Sequence, residues 1–420
     1  MFGKPTLVMG RIESNRMNYH GVLMVTVGIV AGLFNYLYQL AMGILLTPEQ
    51  YGILFSLTSF LIILLVFSQA ITLTMAKFTS RLKAEGKLGG VNYLWHYSLR
   101  RILIISIVAF ALLAALSPFI SQFLHIDNLF YPIIVLSAVL MMPILSVNHG
   151  TLQGLQRFLP LGTSQALMGF LKLSLGALLV YLGLGIYGGL AAIPISIVSV
   201  VLLTLFLLRN LSRAGNQRVV ITGLRSYAGL ALVAIFCMTM LTNADVILVR
   251  HYLDATSAGN YSALSVLGRV AFYAPIGVAA AMFPKTSELF EKGGNHRRLF
   301  LKAILLTTFI AGGVVTVYGL FPHVVPQLLF GSKYPFIAPY LFAYGLAMAL
   351  LAISFVSICY FISLNETKVA YLASGVMFVQ IILIILFHST IAELVNVRLV
   401  TGGLSLFLMS IFYFRIEGRC

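Results

Sequence analysis

The stretch Leu46-Thr47-Pro48-Glu49-Gln50-Tyr51-Gly52 opens an apolar run that ends at Met75-Ala76-Lys77-Phe78-Thr79-Ser80-Arg81-Leu82. The same skeleton returns 207 residues later, as three pairs of equivalent positions show: Leu46 and Leu253, Gly52 and Gly259, Met75 and Met282. The chain has 420 residues, so the repeat divides it into two almost equal halves. A repeat of this length is typical of duplicated transporter folds, in which the binding site lies between the repeats.

The composition indicates that lipid is the solvent of this chain. Hydrophobic residues make up 60% of it, charged residues only 9%, and the mean hydropathy is +1.00. A soluble protein of this length has too little core to bury so much apolar surface. The first apolar run, about residues 20–45, is too long for a secretion signal, and many others follow it. The three cysteines lie far apart and indicate neither a disulfide nor a metal site.

Twelve apolar segments are long enough to span a bilayer, and each should be a helix because a helix satisfies its own backbone hydrogen bonds in lipid. Their approximate bounds are 20–45, 51–77, 102–124, 130–156, 160–184, 187–208, 226–252, 258–284, 300–321, 335–362, 369–388 and 391–414. Six spans per half bring both halves into the membrane in the same direction. We therefore expect an all-α polytopic membrane protein with two six-helix bundles, related by a pseudo-twofold axis along the membrane normal. The predicted bundles are residues 1–208 and 226–420, and a cytoplasmic linker at 209–225 joins them.

The net charge of +16 follows from membrane topology and requires no nucleic-acid partner. Of the 27 basic residues, 22 lie in the termini and in alternate connectors, on one side of the predicted membrane. By the positive-inside rule this side is the cytoplasm, so both termini are predicted to be cytoplasmic. Arg250, Lys333 and Arg398 lie on or near the other side.

Several short motifs resemble those of a known family. They are Leu46-x-Pro48-Glu49-x-Tyr51-Gly52, Leu152-Gln153-Gly154-Leu155-Gln156-Arg157-Phe158, Lys172-Leu173, Asp245-x-Ile247-Leu248, Ala258-Gly259-x-Tyr261-Ser262 and Phe283-Pro284-x-x-Ser287. Together they resemble the polysaccharide flippases that move O-antigen and other oligosaccharide units. These flippases belong to the MOP (multidrug/oligosaccharidyl-lipid/polysaccharide) exporter superfamily, which also contains the MATE transporters. One position departs from the pattern, because Ile44 stands where many relatives have an arginine.

This resemblance implies two six-helix bundles that face each other across a central cavity and open alternately to the two sides. It implies an undecaprenyl-pyrophosphate-linked glycan as the substrate, moved from the cytoplasmic to the outer leaflet of a prokaryotic inner membrane. Membrane lipids surround such a protein, and a polysaccharide polymerase or ligase would be a further partner. No cofactor is expected, and Na⁺, H⁺ or the membrane potential would drive transport.

Two basic residues fall near the middle of predicted spans. Lys172 lies about twelve residues into the fifth span, and Arg269 about eleven into the eighth. An ionisable group at this depth costs at least ~2.5–3.5 kcal/mol on insertion scales, so it usually has a function or a partner. Both side chains are therefore predicted to line the cavity and bind the pyrophosphate. The alternatives are a structural ion pair of Arg269 with Asp245, and a Lys172 stem that extends to the membrane surface.

Asp245 and Arg250 are the predicted gate or ion-coupling residues, in the outer part of the seventh span. Asp245 could hold a coupling ion, or it could form a bridge with Arg250 or Arg269. Arg250 lies close to the outer interface, where the alternative role is that of an anchor or salt-bridge partner.

Uncharged polar residues extend the predicted substrate site. Asn35 and Gln39 share one face of the first span, and Asn148 lies in the fourth. Their amides could bind sugar hydroxyls, with interhelical hydrogen bonds as the alternative. Lys77 and Lys285 end the second and eighth spans at nearly equivalent repeat positions. They are predicted to form a cytoplasmic entrance for anionic headgroups, with simple headgroup anchoring as the alternative.

The sequence contains no nucleotide-binding lysine loop, no paired catalytic carboxylates and no zinc-ligand cluster, so we expect a transporter and not an enzyme. Two other transport functions remain as alternatives. A MATE-type multidrug or cation antiporter should present buried acids, often in the first span, which here has none. A lipid II-type flippase of the kind with two additional helices would have more than the twelve predicted spans.

Overall fold

The computed structural model of the chain describes residues 6–215, 217–218, 224–364, 366 and 368–417, where it shows helices and short connections and no strand. Side chains are described in the same ranges except at 6–25, 212–214, 224–231, 234, 416 and 417. The first α-helices along the chain are α1 (Thr6–Leu45), α2 (Pro48–Leu64), α3 (Val66–Ala84), α4 (Leu88–Ala115), α5 (Ser117–Phe123), α6 (Phe130–Leu136), α7 (Ala138–Gly154), α8 (Phe158–Leu179) and α9 (Gly185–Leu208).

The remaining α-helices are α10 (Leu224–Tyr252), α11 (Ala255–Gly268), α12 (Val270–Tyr273), α13 (Ile276–Glu291), α14 (His296–Leu320), α15 (Val324–Phe330), α16 (Ala338–Ser363), α17 (Val369–Leu386) and α18 (Ile391–Glu417). A π-helical turn, Val180–Leu184, joins α8 to α9. Short 3₁₀ turns cover Arg209–Ala214, Gly331–Lys333 and Pro335–Ile337.

The helices form two compact units. Unit 1 contains Met1–Ala41, Phe67–Leu116 and Ile133–Leu224, and unit 2 contains Met42–Val66, Ser117–Pro132 and Arg225–Cys420. Two segments of the first sequence half, 42–66 and 117–132, thus belong to unit 2. The predicted bundles at 1–208 and 226–420 stay a prediction, and part of the predicted linker at 209–225 lies outside the described residues.

Ten segments of the described chain are long and apolar enough to cross a membrane. One of them, Phe158–Leu211, has 54 residues and is long enough for two crossings. It turns at Gly183 and Gly185, whose positive φ angles of 90° and 51° suit glycine. The 29-residue α10 adds a further long helix, of which the side chains are only partly described. The predicted fold class, an all-α multi-pass membrane protein, is confirmed.

Each copy of the repeated stretch begins a helix with a capped N-terminus. Before α2, Thr47 Oγ1 accepts the backbone N–H of Gln50 (3.3 Å), and Gln50 Oε1 accepts that of Thr47 (3.4 Å). Before α11, Asp254 accepts the backbone N–H groups of Thr256 (3.1 Å) and Ser257 (3.0 Å). The repeated pattern therefore encodes the start of a helix, because a polar cap precedes each apolar run.

The paired glycines of the repeat face each other where α2 packs against α11 in unit 2. A Cβ atom at Gly259 would lie 2.1 Å from the carbonyl oxygen of Pro48, and one at Gly52 would lie 3.0 Å from the Gly259 nitrogen. Backbone atoms cannot move aside as the end of a side chain can. Glycine is therefore needed at both positions, because the two helices approach backbone to backbone.

Some predicted spans are interrupted helices. The second span is divided between α2 and α3, and the eighth is divided among α11, α12 and α13. Arg269 is the C-cap residue of α11, and Pro275 precedes α13 and lacks the N–H that a continuous helix would need. Arg269 therefore lies at a break between two helical segments, within the 37-residue apolar span Ala255–Glu291.

Candidate functional site

Lys172 lies on α8 of unit 1 and contacts polar and aromatic groups of α1. Its Nζ donates a hydrogen bond to Asn35 Oδ1 and lies 4.7 Å from the centre of the Tyr38 ring. Both neighbours are themselves held: Asn35 Nδ2 donates to the carbonyl of Ala31 (2.8 Å), and the Tyr38 hydroxyl donates to that of Gly189 (2.7 Å). Within the described residues Lys172 has no carboxylate partner.

The positive charge of Lys172 is thus supported by neutral groups. An ammonium group has three N–H donors, and the Asn35 amide accepts one of them. The Tyr38 ring adds a cation–π attraction of about 0.5–2 kcal/mol. An anion would supply both the missing acceptors and the missing charge.

Asp245, on α10, is the acidic centre of a buried network in unit 2, and its side chain is 0% exposed. Its Oδ2 accepts hydrogen bonds from the hydroxyls of Tyr261 (3.0 Å) and Tyr344 (2.8 Å) and lies 3.4 Å from Arg398 Nε. Its Oδ1 lies 3.6 Å from Arg269 Nη2 and accepts no hydrogen bond from the described residues. One carboxylate therefore faces two guanidinium groups.

Arg398, on α18, is the more firmly held of the two arginines. Its Nη1 donates to the carbonyl of Leu241 and to Gln380 Oε1 (3.0 Å), and its Nη2 lies 3.4 Å from Met348 Sδ. The sequence placed Arg398 on or near the outer side of the membrane. In the structure its side chain is fully buried and paired with Asp245, and its side of the membrane stays a prediction.

Arg269 makes fewer contacts than Arg398. Its Nη1 donates to Asn243 Oδ1 (3.2 Å), and its guanidinium carbon lies 5.1 Å from the centre of the Phe55 ring. Its Nε and Nη2 have no hydrogen-bond partner in the described part of the chain. Since Asp245 is the carboxylate that both arginines meet there, the network carries one uncompensated positive charge.

Arg250, also on α10, binds backbone carbonyls. Its Nε donates to the carbonyl of Leu124 (3.0 Å), and its Nη2 donates to that of His125 (3.0 Å). The neighbouring His251 ring nitrogen lies 2.7 Å from the carbonyl oxygen of Phe123. The carbonyls of Leu124 and His125 directly follow α5, so Arg250 caps the C-terminal end of that helix. A role in gating stays a prediction.

The remaining predicted site residues have varied surroundings. Asn148 is fully buried, where its amide accepts a hydrogen bond from Trp95 Nε1 (2.9 Å) and donates one to Thr204 Oγ1 (2.9 Å). This geometry matches the alternative role of Asn148, an interhelical hydrogen bond. Gln39 lies on α1 and its side chain is half-buried. A substrate role for either amide stays a prediction.

The predicted cavity and entrance join residues of different units. Lys172 and the exposed Lys77 lie in unit 1, and Arg269 and the exposed Lys285 lie in unit 2. A shared cavity for Lys172 and Arg269, and a shared entrance for Lys77 and Lys285, therefore stay predictions. Each unit nevertheless holds one basic side chain, Lys172 or Arg269, to which an anion could bind as hydrogen-bond acceptor and counter-charge.

Sequence comparison identifies one family. Residues 41–339 match the profile of a family described as polysaccharide biosynthesis protein. The matched segment contains Lys172, Asp245 and Arg269 and ends before Arg398. A search among curated proteins found no match.

Solved structures with the same fold include three informative examples. A multidrug resistance MATE family transporter of the MOP superfamily, in an inward-facing conformation, matches with a TM-score of 0.76 and 15% identity over 91% of this chain and 96% of its own. The lipid II flippase MurJ, in an inward closed conformation, matches with a TM-score of 0.70 and 16% identity over 94% and 87%. A MOP superfamily transporter from Pyrococcus furiosus, described as having a binding pocket of reverse polarity, matches with a TM-score of 0.65 and 15% identity over 94% and 96%. At these identities the matches show a shared transporter fold.

Proposed function

Because the chain belongs to the polysaccharide biosynthesis protein family, we propose that it is a flippase for an undecaprenyl-pyrophosphate-linked oligosaccharide. The substrate joins a polar glycan and two phosphates to a long hydrocarbon, and its polar part cannot cross the bilayer core unaided. The protein moves it from the cytoplasmic to the outer leaflet by alternating access. That a lipid II flippase shares the fold supports a lipid-linked substrate.

The observation that carries this proposal is the position of Lys172 and the kind of groups around it. It lies in a membrane-spanning segment, and its described partners are an amide and an aromatic ring. A charge without an acidic partner is costly in lipid and is maintained where function needs it. A pyrophosphate supplies several strong acceptors and the opposite charge, so it fits this site.

A cation or drug antiporter is the second candidate, because a multidrug MATE transporter has the same fold. Such a protein needs a buried carboxylate that is free to receive a cation. Asp245 is the one fully buried carboxylate among the described residues, and it already faces two guanidinium and two phenol groups. This arrangement favours an anionic substrate.

The membrane potential suits the proposed direction of transport. Each negative charge moved outward gains ~2.3 kcal/mol per 100 mV when the inside is negative. Coupling to Na⁺ or H⁺ is not required by this proposal. No catalytic step is assigned to the chain.

We place the protein in the cytoplasmic membrane of a prokaryote, with both termini in the cytoplasm, because the predicted topology puts 22 of its 27 basic residues on one side. A polymerase or ligase on the outer side would receive the translocated glycan. Neither partner needs a contact with this chain for the transport step itself.

The test is transport of a fluorescent undecaprenyl-pyrophosphate-linked sugar in proteoliposomes. Lys172→Met should lower the initial rate at least about tenfold, the worth of one charge-assisted hydrogen bond. Lys172→Arg should retain most of the rate, because it keeps the charge. Lys302→Met makes the same change at an exposed lysine and should transport normally. A folded Lys172→Met protein that transports at the wild-type rate would refute the proposal.

A further inference from the structure

A carboxylate next to a substrate-binding arginine would normally cancel its charge. We propose that Arg398 is a positioning residue that engages the Asp245 carboxylate, so that the charge of Arg269 remains available to the pyrophosphate. This inference rests on the proposed function, and it assigns a role in transport to a residue that need not touch the substrate.

The two oxygens of Asp245 are engaged unequally. Oδ2 receives the Tyr261 and Tyr344 hydroxyls and faces Arg398 Nε at 3.4 Å. Oδ1 has Arg269 Nη2 at 3.6 Å, and neither of these guanidinium contacts is a hydrogen bond. Both hydrogen bonds of the carboxylate are therefore made by Oδ2, the oxygen that faces Arg398.

Arg398 cannot leave this position easily. Its side chain is fully buried, its Nη1 donates to the Leu241 carbonyl and the Gln380 side chain, and its Nη2 contacts Met348. A guanidinium group remains charged under all physiological conditions, so this counter-charge is permanent. Burial and anchoring together make Arg398 the fixed partner of Asp245.

Arg269 has the opposite properties. Its Nη1 is bound to Asn243, whereas Nε and Nη2 lack hydrogen bonds within the described chain. These two nitrogens form one edge of the guanidinium plane. This edge has the geometry that binds two oxygens of a phosphate group side by side.

Loss of Arg398 should therefore redirect Asp245. Its carboxylate would lose its fixed counter-charge and turn to the free edge of Arg269, where a bidentate pair can form. The network would then be neutral, and the edge that binds phosphate would be occupied. Binding would weaken although no substrate contact was removed.

Four variants test this mechanism. Arg398→Gln makes the network neutral, Arg398→Lys keeps its net positive charge, and the double variant Asp245→Asn/Arg398→Gln restores one net positive charge. Arg415→Gln is the matched control, because Arg415 is exposed on the same helix. For each folded protein the affinity for undecaprenyl pyrophosphate is measured in detergent, together with its thermal stability and the KM and kcat of transport.

Arg398→Gln should weaken binding at least about tenfold and raise KM more than it lowers kcat. Arg398→Lys and the double variant should bind within about threefold of wild type, a difference below 1 kcal/mol. A purely structural role predicts the reverse order, because the double variant removes the most interactions and should be the most damaged. Wild-type affinity in Arg398→Gln, or no recovery in the double variant, would overturn the inference.

If the proposed function itself is wrong, the binding and transport measurements give a different result. In that case the wild-type protein itself neither binds undecaprenyl pyrophosphate nor transports its glycan. If the wild type binds and transports but the variants do not follow the net charge of the network, only the role of Arg398 is wrong.

Discussion

Units 1 and 2 both hold a basic group inside membrane-spanning segments, but they stabilise it in different ways. In unit 1, Lys172 rests on an amide and an aromatic ring. In unit 2, Arg269 faces a carboxylate that is shared with a second arginine. The neutral partners of Lys172 stabilise its charge without cancelling it. In unit 2 one carboxylate faces two guanidinium groups, so one positive charge remains uncompensated.

This difference shows that a chain can keep positive charge in lipid by two routes. A lysine with neutral neighbours needs few supporting residues, and the loss of one of them breaks no ion pair. The buried arginine–carboxylate network needs its carboxylate, because removing Asp245 leaves two unpaired charges in a medium of low dielectric constant. The predicted sensitivities of the two units to mutation follow from this contrast.

The largest expected effect is that of Asp245→Asn on stability. This change leaves Arg269 and Arg398 without a counter-charge, and breaking a buried pair in this way costs about 3–5 kcal/mol. The free energy of unfolding, measured by denaturant titration in mixed micelles, should fall by this amount. Lys172→Met in unit 1 is the comparison and should change stability by no more than about 1 kcal/mol, because no pair is broken. Equal stability losses in the two variants would show that the units do not differ as described.

A second experiment makes unit 1 resemble unit 2. Asn35→Asp places a carboxylate at the position that accepts the Lys172 hydrogen bond. The new ion pair should cancel the charge of Lys172 and slow transport about tenfold to a hundredfold, the worth of a hydrogen bond to a charged group. Asn35→Ser, which adds no charge, should have a smaller effect. If Asn35→Asp transports normally, an uncompensated charge in unit 1 is unnecessary.

The phenols around Asp245 give a smaller effect. Tyr344→Phe and Tyr261→Phe each remove one hydrogen bond to Oδ2, and each should cost about 1.5 kcal/mol of stability or slightly more. Tyr344 should be the more sensitive, because its hydroxyl also lies 3.0 Å from Ser265 Oγ. The double variant should cost less than the sum of the two, since both hydroxyls serve the same oxygen. Strict additivity in a double-mutant cycle would contradict a shared network.

The fold class could be predicted because the hydrophobic pattern and the repeat both extend over long stretches of the sequence. The structure explains two features of the repeat. Thr47 and Asp254 cap the N-termini of α2 and α11, and Gly52 and Gly259 allow these two helices to approach closely. The interruption of a span at Arg269 was missed, because hydropathy measures apolar content and does not detect a local break in helical hydrogen bonding.

The candidate site was predicted less completely. Lys172 and Arg269 were found as charges in apolar segments, but their partners depend on how the helices pack. Arg398 was missed as a member of the network, although one signal was present. It lies seven residues from the outer end of its predicted span, and Asp245 lies seven residues from the outer end of another. Equal depth in antiparallel spans indicates that two opposite charges can meet.

The smallest expected effect separates the two roles of Tyr38 in unit 1. Tyr38→Phe keeps the ring beneath Lys172 and removes the hydroxyl that donates to the Gly189 carbonyl, so stability should fall by about 1 kcal/mol and transport should change little. Tyr38→Leu also removes the ring and should weaken transport further, because the ring face attracts the ammonium group by about 0.5–2 kcal/mol. Unfolding titrations and initial transport rates of the two variants give both quantities. Equal transport rates in the Tyr38→Phe and Tyr38→Leu proteins would mean that the ring does not hold the charge, and the contrast between the units would then rest on Asn35 alone.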